Sequence, residues 1–279
     1  VRVQAFAKIN LSLRVLGTRA GGYHELRTIF QSIALHDTLT IRSVRGPFQL
    51  TCDAPACPAD ETNLIWRAAA AMWKAAGRRG APRNVAIDLQ KRIPIQAGLG
   101  GGSSDAAAAL RVLARRWRVN RARVRSAAKA LGADVPYFLE GGTVLGVDRG
   151  DRLIPQADHP AAWVVVVLPD FGVSTKEAFT WFDQRRAAPK LAASDEQGWV
   201  NDLEAPVIER HPEIGRIISA LRRSGATQAA MSGSGSAVFG LFSQQSAANR
   251  AARGLSSPSR RTLVTRTLNR KRYQTLAAT

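Results

Sequence analysis

The stretch AGLGGGSSDAAAAL, residues 97–110, sets the chain's most flexible residues directly against its best helix formers. Glycine costs about 1 kcal/mol relative to alanine inside a helix, so the boundary reads as a loop that ends where a helix begins. The first turn of that helix would present unpaired N–H groups to whatever the loop encloses. Ala106, Ala109, Leu110, Leu113 and Trp117 then hold one helical face, while Arg111, Arg115 and Arg118 take the others. A Gly–Ala packing turn without a ligand is the plain alternative, but three consecutive glycines are costly to order.

Three glycine-loop mechanisms compete. A Walker-type loop needs a lysine after its last glycine to reach the outer phosphates, and none follows here. A dinucleotide fingerprint needs a third glycine where Ser103 stands, and Arg118 occupies the approximate position of the ribose-binding acid. What remains is an anion cradle of backbone amides, serine hydroxyls and a helix N-terminus. A second glycine segment, MSGSGSAVFG at 231–240, reads as a tight β-turn that could bring another backbone segment to the same place.

The surrounding pattern is α+β. Alternating stretches Val1 to Val15, Arg27 to Ala34 and Thr38 to Val44, divided by GTRAGGYH and LHD, predict three strands of one sheet. DETNLIWRAAAAMWKAAG predicts a helix capped near Thr62 and stopped at Gly77, and NVAIDLQKRIPI a strand leading into the glycine loop. A helix near 121–131 and a hairpin over GGTVLGVDRGDRLIPQ follow. The proline-bearing ADHPAA then suggests a domain break near residue 158, dividing the chain into 1–158 and 159–279. The second part reads as a strand at 163–168, helices at 174–183, 201–210 and 212–224, a glycine-turned strand pair, and a helix near 244–254.

No apolar run reaches the 18 or more residues of a membrane span; the longest, AAWVVVVLP, has the length of a buried strand. The opening VRVQAFAKINLSLRV alternates like a strand and has no apolar signal core, so a cytoplasmic location is expected. Cys52 and Cys57 lack the second pair that a zinc site would need. The 40 Lys and Arg against 21 Asp and Glu give a net charge of +19, which favours anionic partners such as nucleotides, phosphorylated metabolites or nucleic acid. The arginines are dispersed and not interleaved with aromatics, so no specific nucleic acid is expected.

Phosphoryl transfer asks a protein to hold phosphates, orient a hydroxyl and stabilise charge. Asp134, in LGADVPYF between a helix stop and a proline, is fixed on a turn that suits either a functional carboxylate or an Asx turn. Lys8, in a strand-like segment, has the ordinary alternative of snorkelling to solvent.

Taken together, FAKINLSLRVLG, GGYHEL, IPIQAGLGGGSSDAA, LGADVPYF, NDLE and MSGSGSAVFG resemble the cytidyl-recognising members of the GHMP small-molecule kinases, in family order from residue 5 to about 240. The resemblance implies a two-domain GHMP kinase fold: an N-terminal domain with a left-handed β-α-β crossover and a C-terminal ferredoxin-like domain, the active site between them. It implies ATP-dependent phosphorylation of the 2-hydroxyl of a cytidine-diphosphate-linked methylerythritol, in the non-mevalonate route to isoprenoid precursors. Carried over by position, the catalytic pair falls on Lys8 and Asp134. The ATP segment falls on Pro94, Ile95, Gln96, Ala97, Gly98, Leu99, Gly100, Gly101, Gly102, Ser103 and Ser104. Asn10, Tyr23, His24, Thr175 and Phe179 match the substrate positions, with Tyr23 and His24 set against the cytosine.

ATP implies Mg2+, for which the sequence offers Ser104 and no compact acidic cluster. Two positions depart from the family pattern, Gln96 where small residues are common and Thr180 where some members carry lysine. A mevalonate- or homoserine-type kinase of the same superfamily is the nearer alternative, and a basic nucleic-acid-binding protein the more distant one.

Overall fold

The computed structural model describes residues 1–18, 24–187 and 200–278. The first half of the chain forms β1 (Arg2–Thr18), β2 (His24–Pro47), β3 (Gln49–Cys52), α1 (Leu64–Ala75), β4 (Arg83–Gln90), α2 (Gly101–Trp117), α3 (Arg121–Leu131), α4 (Tyr137–Glu140), β5 (Thr143–Asp148) and β6 (Arg152–Pro155). The second forms β7 (Trp163–Pro169), α5 (Thr175–Ala187), α6 (Glu204–Arg210), α7 (Pro212–Arg223), β8 (Gln228–Met231), β9 (Val238–Phe242), α8 (Gln245–Leu255), β10 (Arg260–Arg266) and α9 (Arg270–Ala278).

Strand β2 organises the first sheet. One edge pairs antiparallel with β1 along its length, and the other is shared by β5, against Leu26–Gln31, and β4, against Thr38–Pro47. The break expected at LHD does not occur. His36 and Asp37 stay in register with Phe6 and Ala5, and the Asp37 carboxylate is occupied by loop amides instead of initiating a turn. β3 lies parallel to β4, so β3–α1–β4 is a crossover unit. Asn63, not Thr62, caps α1, its side chain accepting from the Ile65 amide at 2.8 Å. The apolar stripes of α1 and α2 pack on this sheet, with Met72, Leu110 and Leu113 against Leu39, Ile87 and Leu89.

The second sheet runs β10–β7–β9–β8, antiparallel throughout. In chain order its strands are fourth, first, third and second, with helices after the first and third, which is the ferredoxin-like arrangement. β7 reads as an unbroken apolar run because both faces are covered. Val165 and Val167 join the cluster of Ile214, Ile217 and Ala248, while Val164 and Val166 join that of Ala7, Ile9 and Leu11 from β1. Each fully buried valine contributes roughly 1.5 kcal/mol or more, so β1 is fastened between the two sheets. β10 and α9, which the sequence pattern does not announce, complete the second sheet and return the chain to β1, where Tyr273 and Ala277 pack on Phe6.

Candidate active site

Alternation along β1 decides where its lysine goes. Ala7, Ile9 and Leu11 enter the core between the sheets, so Lys8 and Asn10 project from the opposite face and line a cavity of about 1310 Å³. Lys8 does not snorkel; it is 3% exposed. Its Nζ donates to Asn10 Oδ1 at 2.6 Å and to the Gly98 carbonyl at 2.7 Å, and lies 3.7 Å from Asp134 Oδ2. The last distance is an ion pair too long for a hydrogen bond. Burial lowers the Lys8 pKa from its ordinary value, and the Asp134 charge works against that shift.

Asp134 sits on the turn between α3 and α4, with about a third of its side chain exposed. That turn is braced from behind. Tyr137 donates its hydroxyl to the Gly142 carbonyl at 2.9 Å, and the Phe138 carbonyl accepts from Arg111 at 2.6 Å and from the Tyr273 hydroxyl at 2.7 Å.

The two glycine segments meet above this pair. Ser232 Oγ donates to the Gly98 carbonyl at 3.0 Å, and the Ala237 amide to the Ala97 carbonyl at 3.2 Å. Gly98 has φ +74°, and a Cβ there would stand 2.2 Å from the Ser232 carbonyl oxygen. From beneath, Asn201 Nδ2 donates to the carbonyls of Met231 and Gly233 at 2.9 and 2.8 Å, which gives the NDLE motif a structural task. Gln96 takes φ +56°, a left-handed conformation that accounts physically for small residues at this position in the family pattern.

Helix α2 starts at Gly101 with no side-chain cap, so its first amides are available to an anion. Residues 94–103 line the cavity, but Ser104 does not. The Ser104 hydroxyl is buried and donates to the Phe6 carbonyl at 2.7 Å, which corrects its assignment to nucleotide and to Mg2+. Among the described residues no group of three His, Cys, Asp or Glu could hold a metal. Cys57 also lines the cavity, but burial and the neighbouring Cys52 push its thiol up to about 12.

At the other end of the cavity, His24 stacks on Phe179 with ring centroids 4.5 Å apart. His24 Nε2 lies 2.8 Å from Asp183 Oδ1, and Thr175 Oγ1 lies 3.1 Å from Ser234 Oγ. Tyr23 lies outside the described residues. Sequence reasoning missed Asp183, although it stands four residues after Phe179 on an expected helix and so shares its face.

It also missed Lys91 and Asp105, both on the cavity wall. Lys91 Nζ donates to Asp105 Oδ2 at 2.9 Å and to buried Asp37 Oδ2 at 2.5 Å; Asp105 Oδ1 is buried without a partner. Burial pushes the Asp105 carboxyl up to about 8, with Asp37 adding to the shift and Lys91 opposing it. For Lys91, burial is outweighed by the two carboxylates, and its pKa is raised. Folded Asp105 thus holds a proton that the unfolded chain releases near pH 4. Its contribution to stability is full below that value and is lost as pH rises toward 8. Asp105→Asn mimics the protonated acid. Denaturant melts should show the variant gaining on the wild type between pH 5 and 8, by at most about 1.4 kcal/mol per unit. A difference independent of pH would remove the proton from Asp105.

Two family models match the chain, the GHMP kinases N-terminal domain over residues 63–142 and the GHMP kinases C-terminal model over 179–260. The 4-diphosphocytidyl-2-C-methyl-D-erythritol kinase of Moorella thermoacetica is 40% identical over 282 aligned positions, which cover 95% of this chain and 98% of that protein. A crystal structure of 4-(cytidine 5'-diphospho)-2C-methyl-D-erythritol kinase superposes with a TM-score of 0.80 at 36% identity, covering 96% of this chain and 99% of the other. A homoserine kinase from Cytophaga hutchinsonii, at 17% identity and a TM-score of 0.70 over 98% of this chain and 96% of its own, shares the fold alone. Among the described residues no helix is long and apolar enough to cross a membrane.

Proposed function

The chain belongs to the 4-diphosphocytidyl-2-C-methyl-D-erythritol kinases of the GHMP family, and from that premise we propose how its own residues carry out the reaction. The enzyme is an ATP-dependent kinase that phosphorylates the 2-hydroxyl of the cytidyl substrate, releasing ADP, in the isoprenoid precursor pathway. The observation that carries our reading is the Lys8–Asp134 pair, 3.7 Å apart at the junction of two glycine segments and between the two ends of one cavity.

Asp134 is the general base that accepts the proton of the substrate hydroxyl. Lys8, its Nζ fixed by Asn10 and the Gly98 carbonyl, pairs with the Asp134 carboxylate and offsets charge on the attacking oxygen. The amides at the start of α2 and the glycine turns hold the ATP phosphates, and magnesium bound to those phosphates would neutralise part of their charge. His24 and Phe179 receive the cytosine, with Asp183 orienting the His24 ring. Thr175 and Asn10 bound the region between base and acceptor hydroxyl.

The test is ADP release by purified protein with ATP and magnesium, offered the cytidyl substrate, mevalonate or homoserine separately. Turnover of the cytidyl substrate alone supports the whole reading, whereas turnover of another alcohol overturns the pocket assignment. Within that assay, His24→Ala removes a ring stack and should raise KM for the cytidyl substrate about tenfold, with kcat little changed. A fall in kcat alone would remove His24 from recognition.

A further inference from the structure

The segment from Lys91 to Gly100 leaves the sheet at the end of β4 and reaches α2 through left-handed turns at Gln96, Gly98 and Gly100. Regular secondary structure does not fix such a path, so its position depends on individual contacts. At its far end these are Lys8, Ser232 and Ala237, already described. At its near end Asp53 Oδ1 accepts from the Lys91 amide at 2.8 Å, and one buried side chain makes three further contacts. Asp37 Oδ1 accepts from the amides of Arg92 and Ile93 at 2.5 and 2.8 Å, and Oδ2 accepts from Lys91 Nζ at 2.5 Å. Lys91 passes the tie to Asp105 on α2, so both ends of the glycine segment share one anchor. Gly101 belongs to the same arrangement, since a Cβ there would stand 3.1 Å from Lys91 Nζ.

Asp37 itself is fully buried in β2, opposite Ala5, and does not line the cavity. Burying a carboxylate is costly unless its lone pairs are filled. Here the donors that fill them are the first three residues of the loop, not groups of its own strand.

We propose that Asp37 is a positioning residue for the nucleotide, setting the base of the phosphate-binding segment through Lys91, Arg92 and Ile93 without touching the ligand. This rests on the reading of residues 94–103 as the ATP site. Asp37→Asn keeps one oxygen for an amide but turns a neutral group toward Lys91. It should raise KM for ATP roughly tenfold while kcat stays within about threefold and KM for the cytidyl substrate is unchanged.

Asp105→Ala, which removes the acceptor that Asp105→Asn would keep, breaks the same tie from the α2 side and should raise KM for ATP in the same selective way. The double variant should raise it no further than the larger single effect, because the two act through one lysine. A lowered melting temperature with KM for ATP within twofold of wild type would overturn the proposal and leave Asp37 a structural role. An equal rise in both KM values would also overturn it. Should Asp37→Asn fail to fold, Asp105→Ala decides by the same criteria. If the wild type itself turns over no cytidyl substrate, the functional reading fails separately, and dissociation constants for a non-hydrolysable ATP analogue then decide the role of Asp37.

Discussion

Asp134→Asn should lower kcat roughly 10²- to 10⁴-fold, the range expected for loss of a general base, and leave the dissociation constant of an ATP analogue within about twofold. The substitution keeps the shape of the side chain on its braced turn and removes its basicity and its charge. Lys8 cannot move to compensate, because two of its three N–H donors are held by Asn10 and the Gly98 carbonyl. Removing the carboxylate also takes away what opposes the downward shift of the Lys8 pKa. The variant therefore loses the base and weakens the neighbouring cation together. Single-turnover measurements with saturating ATP would isolate the chemical step. Turnover near that of the wild type would exclude Asp134 as the base.

Gly98→Ala should break the contact between the two glycine segments. Left-handed backbone costs a non-glycine residue about 1–2 kcal/mol, and at this position the new Cβ would also meet the Ser232 carbonyl at 2.2 Å. One of the two glycine segments has to withdraw, so the contact that closes the cradle opens. A stability loss of about 3 kcal/mol or more and a fall of about 100-fold in kcat/KM for ATP are expected. Gly46→Ala provides the comparison, because Gly46 also has positive φ, +103°, but nothing lies within 4 Å of its Cβ position. It should show the backbone cost alone, about 1–2 kcal/mol, with unchanged kinetics. Equal effects of the two substitutions would mean that the Gly98 contact has no part in ATP binding.

What the sequence discloses here is local, and what it conceals is set by partners distant in the chain. The Gly–Ala boundary announces α2 because propensity changes within a few residues, and the AAWVVVVLP run announces β7. The continuity of β2 through Leu35, His36 and Asp37 is not legible, because it depends on β1 in register on one side and on amides more than fifty residues away. Among the candidate site residues, Lys8 and Asp134 stand in segments whose ordinary readings are a solvent-facing lysine and an Asx turn. Only the covering of the opposite face of β1 by β7 turns Lys8 inward. Ser104 shows the converse error, a hydroxyl in the right motif whose helical phase directs it at Phe6 and away from the cavity. The Lys91 cluster carried no signal at all, its three members being spaced 54 and 14 residues apart.

The docking of α9 on β1 has a bearing on biosynthesis. Gly141 leaves no room for a Cβ because the Tyr273 ring occupies that space, and the Tyr273 hydroxyl holds the Phe138 carbonyl behind the Asp134 turn. A nascent chain that has completed β6 at Pro155 still lacks this brace until Arg270 and beyond have emerged. At bacterial-scale elongation of 5–20 residues per second, those roughly 115 residues take about 6–23 s to translate. During that interval the first sheet and its helices can assemble while the turn bearing the base stays unsupported. Competence for catalysis is thus deferred until α9 has been made, and a ribosome-bound fragment ending before residue 270 should be folded in its first half yet inactive.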